Sequence, residues 1–107
     1  MASQQHRNPK GPRLIDAAVR YGQGGFEHCD VRDLNLHGVL VLGRDGTLTK
    51  LPRDAKVDVA LKLNTDGTTK THVLRARVDR KTRDGTGLVI TDADIDAYSA
   101  LPYLDTR

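Results

Sequence analysis

Apolar and polar residues alternate along much of this chain. Val57, Val59, Leu61 and Leu63 are separated by Asp58, Ala60 and Lys62, the period-two pattern of a strand with one face in a core and the other in water. Residues 71–78, THVLRARV, alternate in the same way, and the intervening NTDGTT at 64–69 carries the Asp-Gly signal of a hairpin turn. Ala17, Val19 and Tyr21 alternate with Ala18 and Arg20, after which GQGG at 22–25 permits a tight reversal. Residues 26–31 and 38–42 read as two more strands, and GLVI at 87–90 as another behind an Asp84-Gly85 turn.

Beyond Ile90 the pattern changes. Thr91 or Asp92 can cap a helix whose first turn holds Asp94 and Asp96, near the positive end of the macrodipole. Ile95, Tyr98, Leu101 and Leu104 then lie roughly on one face, and Pro102 kinks or ends the helix near Ala100 or Leu101. About six strands and one helix predict an all-β fold, a six-stranded antiparallel β-barrel with a short C-terminal α-helix packed against it. Closing the sheet removes the exposed edges that six short strands would otherwise leave. Residues 1–12 show no periodicity and contain Pro9, Gly11 and Pro12, so the expected organisation is a flexible basic arm at 1–13 and a barrel domain at 14–107.

Composition narrows the function. The chain of 107 residues supplies one core rather than two, and with Tyr21, Phe26, Tyr98 and Tyr103 its only aromatics, that core must be built from Val, Leu, Ile and Ala. The same scarcity provides poorly for base stacking. The net charge of +3 is uneven: residues 1–13 carry Arg7, Lys10 and Arg13 with no acid, which leaves the remainder balanced. A basic arm on a neutral body suits an anion, whether a phosphate, a nucleic acid or an acidic partner. Cys29 is the single cysteine, which excludes an internal disulfide and agrees with a reducing compartment. With no signal-like leader and no apolar run of membrane-spanning length, a cytoplasmic protein that does not insert into membranes is expected.

Catalytic chemistry is poorly provided for. The serines are Ser3 and Ser99, and Cys29 adjoins His28 in a strand, where neighbours point to opposite faces, so neither supplies a nucleophile beside a base. Cys29 reads as a small buried apolar side chain. His6, His28, His37 and His72 form no helical i, i+4 pair, and no metal site is expected. TDADID at 91–96 starts like a calcium loop, but Ala97 stands at the turn glycine and Tyr103 at the bidentate glutamate.

DVRDLNLHGV at 30–39 is different, because Asp33, Asn35 and Gly38 interrupt the chain where a plain strand should continue, as D-x-N-x-x-G between two strands. With RDLNLHGVLVL around it, KVDVALKL in the middle and GTGLVITDADIDAYSALPYL at the end, the chain resembles the PilZ domain family from about His6 to Leu104. These small β-barrels are receptors for cyclic di-GMP, with the signatures RxxxR and (D/N)xSxxG. Asn35 takes the place of the serine. In the first motif RNPKGP aligns Lys10 with the second arginine and His6 with the first, with Arg7 between them.

The resemblance implies a non-enzymatic receptor without cofactors. Its ligand, cyclic di-GMP, would contact His6, Arg7, Lys10, Asp33, Asn35 and Gly38, with Arg13 as a further arm contact. Two arginines would grip phosphates and guanine edges with planar forks; lysine offers a point charge and neutral histidine neither. Each such loss costs affinity about ten- to a hundredfold. Ligand would order the arm and change the surface shown to a protein partner of unknown identity, regulating motility, exopolysaccharide, adhesion or virulence in a bacterium. The alternative is a divergent PilZ domain that does not bind the nucleotide and acts as a protein interaction adaptor. A nucleic-acid binder is disfavoured by the neutral body and the missing aromatics.

Overall fold

The computed structural model describes residues 12–34, 37–43, 47–83 and 85–101. Strands β1 (Arg13–Tyr21), β2 (Glu27–Leu34), β3 (Gly38–Gly43), β4 (Lys56–Thr65), β5 (Thr68–Thr82) and β6 (Gly85–Asp92) form a closed antiparallel barrel in the order β1-β2-β3-β6-β5-β4. A 3-10 turn at Thr47–Lys50 lies between β3 and β4, and helix α1 (Ile95–Ala100) follows β6. The all-β barrel with a short C-terminal helix, expected from the alternation, is the fold observed.

Alternation explains the wall. Val57, Val59, Leu61 and Leu63 of β4 face inward against Leu74, Ala76 and Val78 of β5, Val39 and Val41 of β3, and Leu88 of β6, all buried. Cys29 is buried among them as a small apolar side chain. The described core contains no aromatic ring; Tyr21, Phe26 and Tyr98 are exposed.

Two short elements fill the barrel ends. Leu48 and Leu51, in and after the 3-10 turn, join the core, and the buried Thr86 hydroxyl donates to the Leu48 carbonyl at 3.3 Å. At the other end Ala97 and Leu101 of the helical segment are buried. This corrects the expected helix in two respects. Thr91 and Asp92 are the last residues of β6, because Asp92 still pairs with Arg75 of β5, and Asp94 is the cap, its carboxylate accepting from the Ala97 amide at 2.7 Å. The buried face runs through Ala97 and Leu101, one helical turn apart, so Ile95 at 81 % and Tyr98 at 39 % exposure turn to solvent.

Several strands also outrun their sequence signal, β1 and β5 among them. Strand β1 begins at Arg13, the last residue of the expected arm, and pairs with β4 from there to Tyr21. Strand β5 continues through Asp79, Arg80 and Lys81 to Thr82, past the end of its clean alternation, because β6 pairs with it to Gly85.

Candidate functional site

The residues around Asp33 owe their arrangement to a β-bulge. Val31 pairs with Val41, but Asp33 rather than Arg32 pairs with Leu40, so Arg32 is the extra residue. The bulge shifts the phase of β2 by one position and sets Asp33 on the outer wall opposite Leu40. A second bulge does the same on β5, where Val78 pairs with Leu88 and Arg80 with Gly87, leaving Asp79 as the extra residue. Because Leu40 also pairs with Gly87, four strands contribute one continuous outward row: Asp33, Leu40, Gly87, Arg80.

A shallow depression of about 530 Å³ lies over this row, lined among others by Asp33, Gly38, Leu40, Asp79, Arg80 and Gly87. Its two glycines differ in cause. A β-carbon on Gly38 would lie 2.5 Å from the Leu88 carbonyl oxygen, so the approach of β6 already demands glycine there. A β-carbon on Gly87 would meet nothing closer than the Arg80 carbonyl oxygen at 3.6 Å, an ordinary contact. Packing does not require Gly87; its missing side chain keeps the floor of the depression low.

Of the residues expected to bind ligand, Asp33 and Gly38 line this depression together. His6, Arg7, Lys10 and Asn35 lie outside the described residues. Arg13 is exposed at the start of β1, opposite Asn64 of β4. Ala17 pairs with Cys29, and from that pair β1 runs back toward Arg13 as β2 runs forward toward Leu34. The chain therefore enters the barrel at the end where the β2–β3 connection lies.

The sequence reading missed Asp79, Arg80 and Gly87. An available signal was the glycine inside GTGLVI, since a glycine in a strand interior marks a bulge, a close backbone approach or a ligand face. No comparable signal marked Arg80, which comes into the row only through the β5 bulge.

A second depression, about 510 Å³, lies across β1, β4, β5 and β6, and basic Arg20, Lys56, Arg75 and Arg77 outnumber acidic Asp58 and Asp92 in its lining. Arg20 faces Asp58, Asp58 faces Arg75, and Arg75 faces Asp92, alternating in sign across four strands. Arg77, also in its lining, reaches Asp54 at 3.1 Å. The row from Arg20 to Asp92 is thus a charge-compensated ladder within this surface. Of the described histidines, His37 lines the outer-wall depression, exposed His28 meets Asp16 at 2.9 Å, and buried His72 lies 3.9 Å from the Asp94 carboxylate. Among the described residues no group of three or more His, Cys, Asp or Glu side chains comes together as a metal site.

The outer-wall depression thus offers a carboxylate at one end, an arginine at the other and a floor of Leu40 and Gly87 between them, an arrangement suited to a ligand with hydrogen-bond donors on one edge and an anionic group beyond it. Comparison of the chain with protein-family models, with curated proteins and with solved structures finds no match.

Proposed function

We propose that this protein is a non-enzymatic receptor for cyclic di-GMP of the PilZ kind, in which the ligand bridges the N-terminal arm and the β2–β3 face of the barrel. The observation that carries the reading is the meeting of Asp33 and Gly38, first and last residues of D-x-N-x-x-G, in one depression on a closed six-stranded barrel. The entry of the chain at that same end adds to it. The Asp33 carboxylate is an acceptor for the donor edge of guanine, and the basic residues Arg7, Lys10 and Arg13 supply cations for phosphate. Ordering the arm on the ligand changes the surface shown to a bacterial partner.

One observation favours the second reading, an adaptor that does not bind the nucleotide. Gly38 is already required by the Leu88 carbonyl, so the motif glycine is needed as barrel architecture alone.

Calorimetric titration with cyclic di-GMP at moderate salt, with GTP as the control, separates the two. The receptor gives saturable binding in the micromolar range or tighter that Asp33→Ala and Arg7→Ala both weaken. No heat and no competition up to millimolar ligand sinks the receptor reading and leaves the adaptor.

A further inference from the structure

The groove holds a cation that neither motif contains. We propose that Arg80 of β5 is a phosphate-contacting residue of the site and supplies, from the rigid barrel, the planar fork that His6 and Lys10 cannot. The inference rests on the cyclic di-GMP reading and extends it to a residue outside both signatures.

Position is the first argument. Arg80 stands in the same outward row as Asp33, separated by Leu40 and Gly87. Three inter-strand spacings of about 4.8 Å place the backbones of β2 and β5 about 14 Å apart. Two side chains reaching inward from those strands leave the space between them for a base and its phosphate. The low floor at Gly87 lets such a ligand lie against the backbone, and no packing constraint explains that glycine.

Chemistry is the second. A carboxylate at Asp33 accepts from the N1–H and N2–H₂ edge of guanine, while a guanidinium donates to two phosphate oxygens in parallel. Arg80 is exposed, and among the described residues no ion pair or hydrogen bond engages its guanidinium. It also borders an adjoining depression of about 280 Å³ with Arg53 and Lys81, so the groove runs from an acidic end to a cationic one. Asp79 lies beside Arg80 in the lining and opposes an anion, so the attraction must come through direct contact with the Arg80 fork rather than through the net charge of the groove.

The test is calorimetry with cyclic di-GMP on the whole chain and on Arg80→Ala, Arg80→Lys, Arg75→Ala and Asp33→Ala, with a thermal melt of each to verify folding. Arg75 lies in the compensated ladder and reports the effect of losing a positive charge elsewhere on β5. Arg80→Ala should weaken binding about ten- to a hundredfold, Arg80→Lys should recover part of the loss, and Arg75→Ala should bind like the parent. Equal losses in Arg80→Ala and Arg75→Ala would reduce the effect to general charge and overturn the contact. Parent-like binding by Arg80→Ala, with binding lost in Asp33→Ala, would overturn the contact while leaving the receptor reading intact. No binding by the parent chain overturns both.

Discussion

Arg20 grips one oxygen of Asp58 with two nitrogens, Nε at 3.1 Å and Nη2 at 2.7 Å, and stacks its guanidinium over the Phe26 ring at 4.5 Å from the centroid. The pair ties β1 to β4 on the outer wall and sets the first turn, GQGG, against β1. Its side chains are 39 % and 28 % exposed, so water screens much of the attraction. A double-mutant cycle of Arg20→Ala and Asp58→Ala in urea should give a coupling of about 0.5–1 kcal/mol. Raising the salt to about 1 M should diminish it.

The two glycines of the groove should respond oppositely to alanine. Gly38→Ala drives a β-carbon into the Leu88 carbonyl and should cost about 1–3 kcal/mol, because the neighbour is backbone and cannot swing aside. Gly87→Ala meets only ordinary contacts and should leave stability within about 1 kcal/mol, with a gain from the stiffer unfolded chain. Chemical denaturation of both variants checks the pair. On the receptor reading, Gly87→Ala should nevertheless weaken cyclic di-GMP binding by raising the floor.

Asp94 caps a helix of only six residues, which gains little from propagation along its length. Asp94→Ala removes the acceptor for the Ala97 amide and should cost about 1 kcal/mol, whereas Asp94→Ser should retain most of it. Faster hydrogen exchange at Ala97, with unchanged exchange at Val59 in β4, would show the effect confined to the barrel end.

Thr86 places a hydroxyl inside the core, where it meets the Leu48 carbonyl. Thr86→Val keeps the shape but leaves that carbonyl only the Leu51 amide as donor, at 3.4 Å, and should destabilise the protein by about 1 kcal/mol. Leu61→Ala, at a fully buried position of β4, should cost more, about 2–5 kcal/mol, and a smaller loss than Thr86→Val would argue against the inward face assigned to β4.

The wall of the barrel was legible because burial on one face writes itself into the sequence at period two, as in β4. What stayed hidden follows from residues that break that period. Arg32 and Asp79 are the extra residues of bulges, and an inserted residue moves its neighbours to the other face without altering composition or hydropathy. Asp33 could be singled out because it belongs to a local pattern with Gly38. Arg80 could not, since its place beside Asp33 is created by pairing across two intervening strands. The helix face was misread because Ile95 and Tyr98 are larger and more apolar than Ala97, yet the space at the barrel end admits Ala97 and Leu101. Cap and register, rather than hydrophobicity, decided the rotation.

Strand β1 pairs with β2, its neighbour in sequence, only over residues 17–19, but with β4 along its whole length from Arg13 to Tyr21. The N-terminal strand therefore has no lasting place until residues 56–65 exist, whereas β4 and β5 can zip together from a two-residue turn as soon as both are made. Closing the longer loop carries the larger entropic penalty, and pairings so distant in sequence form slowly. The β4–β5 hairpin is thus a local pairing and the β1–β4 ladder a distant one, so β1 is expected to dock after that hairpin has formed.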